Sequence, residues 1–177
     1  FAGNLISAVL GIVTANLLGA AAFGALGILT GFVADVNRLL SFRMSDVVVR
    51  YVGEALEQDM KDKAAALIKA AALIEAATSL VAFGLLALLA PIGALYFAKD
   101  ASLQPLFLLY GVSILANLVC ETSTGFLQVT GHFRTQALIS LAQSVLVALV
   151  IVWAALNGGG LIEVLLAYLL GKLILGL

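Results

Sequence analysis

Asp35, Arg38, Glu75, Glu121 and Lys172 stand inside long apolar runs. A charge at the centre of a bilayer costs several kcal/mol unless it is paired or hydrated, so such residues mark internal pairs, wet cavities or transport pathways. Asp35 and Arg38 lie three apart, share a helix face and can neutralise each other. Glu121 stands with Asn117, Thr122, Ser123 and Thr124 in the most polar portion of any apolar run. That portion must face a bundle interior or water, because lipid offers its groups no partners. A carboxylate there can hold a coupling cation or proton, balance a buried base, or serve a hydrogen-bonded structural cluster. Lys172 can meet an anionic substrate or pair with Glu121 or Glu163. The ion-coupling candidates are therefore Asp35, Glu75 and Glu121. The substrate-pathway candidates are Arg38, Asn117, Glu121 and Lys172, with Gln143 and Ser144 as a weaker polar patch.

The elements that position these residues follow from composition. Of 177 residues, 63% are hydrophobic and 11% charged, against about 45–50% and about 25% in soluble domains. Mean hydropathy is +1.18. Nine Lys and Arg against ten Asp and Glu argue against a nucleic-acid partner. One cysteine and one histidine leave no disulfide framework and no multi-ligand metal site. The composition predicts an all-α, polytopic transmembrane helix bundle of about six spans, at ~20 residues each.

Charge-free stretches and turn signals place those spans near 2–18, 24–40, 64–97, 106–130, 137–156 and 162–177. Residues 18–24, with glycines at both flanks, read as the first turn; Asn157 to Gly160 read as the last. The charged connection 41–63 contains an amphipathic helix, Met44–Asp62, with Val47, Val48, Tyr51, Val52 and Ala55 at helical spacing. It either lies in the membrane interface or extends the second span into the cytoplasm. The chain opens and closes within apolar runs, so it reads as a fragment. Seven basic residues fall in the connections after spans 2 and 4, and only Lys99 on the opposite side. The positive-inside rule then places the N-terminus in the cytoplasm.

A stripe of small residues, Gly3, Ser7, Gly11, Ala15 and Gly19, continues as Gly27 and Gly31. Such spacing lets two helix backbones approach closely, as ordinary helix contact or as a sliding surface. Enzyme constellations are missing. His132 lies at a span end, Cys120 is isolated, no phosphate-binding P-loop occurs, and no cofactor motif is found.

Two stretches carry a family resemblance. One is Leu17 to Leu26 (LLGAAAFGAL), followed by Val48 to Ala55 (VVRYVGEA) and Lys63 to Leu67. The other is Gly125 to Arg134 (GFLQVTGHFR). This resembles the N-terminal portion of bacterial polysaccharide flippases, the O-antigen type within the multidrug/oligosaccharidyl-lipid/polysaccharide (MOP) exporter superfamily, with its MATE-like fold. The pattern departs at Ala20 to Ala22, where relatives place proline and acidic residues, and at Arg38 to Arg43. The resemblance implies one lobe of a two-bundle transporter in the inner membrane, the second bundle lying in a C-terminal half of the same chain. Its substrate would be a polyprenyl-pyrophosphate-linked oligosaccharide, flipped for cell-surface polysaccharide such as lipopolysaccharide. Arg38 and Lys172 would attract the diphosphate, Asn117 and Glu121 would offer polar contacts or ion coupling, and the lipid tail would stay among membrane lipids. Two rivals remain: a cation-coupled multidrug or small-molecule exporter of the same superfamily, and a non-transporting membrane scaffold.

Overall fold

Apolar residues recur around whole helix circumferences, so the backbone must close its own hydrogen bonds, and the chain folds as helices throughout. The computed structural model describes the backbone of residues 2–41, 43–116 and 118–176, and the side chains of 10–41, 43–116, 118–154 and 156–174. Among these residues no strand occurs. The helices are α1 Ala2–Leu40, α2 Met44–Glu57, α3 Lys61–Ile92, α4 Gln104–Ala116, α5 Cys120–Val129, α6 Phe133–Leu156 and α7 Leu161–Gly176. A π-helical turn, Gly93–Phe97, continues α3 beyond Pro91, and a 3-10 turn, Ala101–Leu103, leads into α4.

The expected count of about six spans is corrected to four among the described residues. Leu10–Glu57, Lys61–Phe97, Ala101–Val129 and Phe133–Ala154 are long and apolar enough to cross a membrane. The two spans expected before residue 40 fall in one such stretch, within which Gly19, at φ 74°, ψ 166°, separates two helices at a kink inside the expected turn 18–24. A left-handed φ of this kind suits glycine, which has no Cβ to clash. The expected fourth span is also not one helix, since α4 ends at Ala116 and α5 starts at Cys120.

One core joins four helices. Leu29, Val33 and Val36 of α1 pack with Leu86 and Ala90 of α3, Phe107 and Ile114 of α4, and Val164 and Leu165 of α7. Phe32 meets the Phe107 ring edge-on at 5.5 Å and the Phe97 ring at 5.6 Å, pinning the π-turn to α1. A smaller cluster sets Leu10 of α1 against Val147 and Ile151 of α6 and Ala167 of α7.

α2 packs its apolar stripe onto the bundle. Met44, Val48, Val52 and Ala55 are buried against Ala64 and Ala71 of α3, while Val47 and Tyr51 stay exposed. Its other neighbour is α5, at closest approach where Gly125 faces Ser45 and Val48.

The helix contacts expected along the small-residue stripe fall elsewhere. Gly3 and Ser7 lie outside the described side chains. A Cβ at Gly11, Gly19, Gly27 or Gly31 would meet nothing within 4 Å, and Ala15 is half-buried. The close approaches occur at Gly93, Gly111, Gly125 and Gly171, under Phe107, Leu86, Val48 and Val147 respectively. Those glycines sit where two helices cross; the stripe on α1 faces outward for much of its length.

Two substitutions test this packing. A Cβ at Gly125 would come within 2.8 Å of the Ser45 carbonyl oxygen, a backbone atom that cannot yield cheaply. Gly125→Val should therefore destabilise the protein by about 1–3 kcal/mol, read as a fall in thermal midpoint in detergent; an unchanged midpoint would show that α5 does not press on α2. Thr14 is fully buried, and among the described residues its hydroxyl has no hydrogen-bond partner. Thr14→Val keeps the shape, removes that polar group and should stabilise by about 1 kcal/mol, seen as a higher midpoint in the same assay.

Candidate functional site

The break between α4 and α5 leaves a helix N-terminus at the level of Glu75 of α3. The first backbone N–H groups of a helix have no intrahelical acceptor. Val119, at the start of α5, supplies no side-chain cap. Glu75 supplies it from across the bundle. Its Oε1 accepts the Glu121 N–H at 2.7 Å, and its Oε2 accepts the Thr122 N–H at 2.9 Å and the Thr122 hydroxyl at 2.6 Å. Glu75 is only 6% exposed. A carboxylate at this place meets both the orphan donors and the positive end of the helix dipole.

Glu121 repeats the arrangement one helix further on. Arg43, ahead of α2, has φ 47° and ψ 55° and no side-chain cap of its own. Glu121 Oε2 accepts the Met44 N–H at 2.7 Å, and its Oε1 accepts the Ser41 hydroxyl at 2.8 Å. Glu75 of α3 thus holds α5, and Glu121 of α5 holds the joint between α1 and α2. Both carboxylates appeared in the sequence as charges at membrane depth. The structure gives each a cross-helix capping role.

These groups line a cavity of about 220 Å³ among α1, α2, α3, α5 and α7. Asn37, Ser41, Ser79 and Lys172 complete its polar wall. Lys172 is half-buried, and among the described residues it makes no ion pair within 4 Å. Among the described residues Lys172 pairs within 4 Å with neither of the expected partners, Glu121 and Glu163. Glu163 accepts the Gly160 N–H at 2.8 Å at the start of α7.

Asp35 and Arg38 stand apart from this cavity. They form the expected pair at 3.8 Å, but with side chains 75% and 80% exposed, not internal to the bundle. They flank a groove of about 480 Å³ walled by Phe32, Val36, Leu39, Leu89 and Phe97. The groove and the cavity lie on different faces of the same α1 end. Asn117 lies outside the described residues. Among the described residues no cluster of three or more metal-ligating side chains occurs.

Sequence reasoning missed Ser41 and Ser79, and missed the helix break itself. Glu121-Thr122-Ser123 was the available signal, since acidic and hydroxyl residues collect in the first turn of a helix. An internal N-terminus also needs an acceptor, and Glu75 is 46 residues away in sequence.

The helical bundle and its four apolar stretches are those of an all-α membrane protein. Over residues 13–177 the sequence matches the family described as polysaccharide biosynthesis protein, and the chain belongs to that family. No curated protein and no solved structure matches the chain.

Removing the Glu75 cap should be costly. Hydrogen bonds to a charged group contribute about 1.5–3 kcal/mol each, so Glu75→Ala should lower the thermal midpoint by many degrees. Glu75→Gln keeps the volume but turns an amide donor towards backbone donors, and should fall nearly as far. Retention of the wild-type midpoint in both variants would contradict the capping role.

Proposed function

We propose that the chain is the transport bundle of a flippase that moves a polyprenyl-pyrophosphate-linked oligosaccharide across the bacterial or archaeal inner membrane. It works without enzymatic chemistry, with its N-terminus in the cytoplasm and a second bundle completing the transporter. A role in polysaccharide biosynthesis comes with the family. The observation that carries the finer reading is the double character of the α1 end. One face borders a polar cavity holding Glu121 and Lys172, and another borders an apolar groove edged by Arg38. An amphiphile with a long hydrocarbon tail, an anionic head and a sugar chain needs both kinds of surface. Sugars and diphosphate cannot cross ~30 Å of hydrocarbon unshielded, whereas the tail can remain in the bilayer.

Arg38 acts as the cationic contact for the diphosphate as it passes, and Lys172, Asn117 and Glu121 as polar contacts along the path. Arg38 stands at the groove, where its Asp35 partner at 3.8 Å is too distant and too exposed to hold it firmly. The two cavity carboxylates, with Asp35 on the outside, support a second reading, a cation-coupled exporter of small molecules.

The experiment is complementation in a strain lacking the full-length protein. Arg38→Ala and Lys172→Ala together should cut surface polysaccharide by at least about tenfold, the effect of losing some 1.4 kcal/mol of binding, with lipid-linked sugar accumulating on the cytoplasmic leaflet. Wild-type polysaccharide with both variants would remove the charge roles. Intact polysaccharide in the deletion strain, with new sensitivity to cationic dyes, would favour the exporter.

A further inference from the structure

The polar cavity is a subsite for one neutral sugar ring, we propose, rather than for an ion or the diphosphate; this rests on the flippase reading and specifies what part of the substrate enters here. Ser79 is the first observation. It is 8% exposed and lines the cavity, yet its hydroxyl makes no hydrogen bond among the described residues. The Glu75 carbonyl, which a serine four residues later in a helix often uses, is taken by Thr78 at 3.0 Å. A buried hydroxyl left open towards a cavity is a group held ready for a ligand.

The remaining capacity of the wall is mixed. A carboxylate offers about four acceptor positions. Glu75 uses three of them, for the Glu121 and Thr122 N–H groups and the Thr122 hydroxyl. Glu121 uses two, for Ser41 and Met44. Acceptors are therefore left, chiefly on Glu121, and Lys172 brings donors that no carboxylate within 4 Å consumes.

Charge then selects among ligands. Each capped helix end contributes roughly half a positive charge. Together with Lys172, the ends of α2 and α5 offset the two carboxylates. A metal cation would face Lys172 and the two helix N-termini, and a diphosphate would face two carboxylates. A neutral ligand whose hydroxyls each donate and accept meets no such opposition. At about 220 Å³ the cavity falls below the ~300–1,000 Å³ of pockets for drug-sized molecules, so it fits a single ring and not a chain of sugars.

The test uses the full-length protein in nanodiscs, titrated with polyprenyl diphosphate and with polyprenyl-diphosphate-linked hexose. The wild type should prefer the hexose-bearing lipid by about tenfold or more. Ser79→Leu, which fills the cavity, should bring that ratio to within about twofold, and Ser79→Ala, which leaves the fold's hydrogen bonds untouched, should reduce it by about threefold to tenfold. Equal binding of the two lipids by the wild type, or an unchanged ratio in both variants, overturns the sugar subsite while leaving the flippase reading standing. Binding of neither lipid overturns both. Stabilisation by sodium chloride over choline chloride that disappears in Glu121→Gln would mark a cation site and overturn the inference.

Discussion

A backbone N–H removed from water must find an acceptor, and the interruption of the helix between α4 and α5 places such donors against α3. Glu75 is the answer to that constraint. Its two oxygens take the Glu121 and Thr122 N–H groups in the first turn of α5 and the Thr122 hydroxyl at 2.6–2.9 Å. Once α5 is held this way, Glu121 stands where it can reach the start of α2, and Gly125 comes against Ser45 and Val48. The placement of α2 against the bundle follows from these two carboxylates together with the apolar stripe of Met44, Val48, Val52 and Ala55. Each carboxylate is stabilised by the helix end it caps, so the charge that looks expensive in sequence is the group that makes the broken span possible.

The same arrangement shapes the polar space. Capping fixes the two carboxylates in the cavity wall and leaves Lys172 and Ser79 with donors to spare. Because helix ends, ammonium and carboxylates nearly cancel, the cavity is polar without a strong net field. α1 divides this space from the outer groove, where Arg38 and Asp35 face away from the capping groups. A substrate with a polar head and an apolar tail is the chemistry that would use both sides of one helix.

Much of this was legible in the sequence, because charges at membrane depth are rare enough to stand out. Glu75, Glu121 and Lys172 were singled out by that rule alone, and the structure brings them around one cavity. The all-α bundle and the family were also readable, from the apolar composition and from stretches such as Gly125 to Arg134. The rest depended on distance along the chain. The helix N-terminus at Cys120 is announced by no glycine or proline between Gly111 and Gly125, and its acceptor belongs to another helix. Small-residue spacing on α1 reads as a contact surface whichever way the helix faces, and here Gly27 and Gly31 face outward. The turn read over residues 18–24 is present but narrow: Gly19 breaks the helix geometry at a single residue.

Hydrogen exchange at the backbone amides of Met44, Glu121 and Thr122 tests the capping account most directly. In the full-length protein in nanodiscs, these amides should be protected like those of the neighbouring helix interiors. Glu75→Ala should raise exchange at Glu121 and Thr122 by at least about tenfold, the rate change for some 1.4 kcal/mol, with Met44 following as α5 loosens. Protection at Glu121 and Thr122 that is unchanged by the substitution would contradict it, since the donors would then have another acceptor and Glu75 would not be what holds the broken span together.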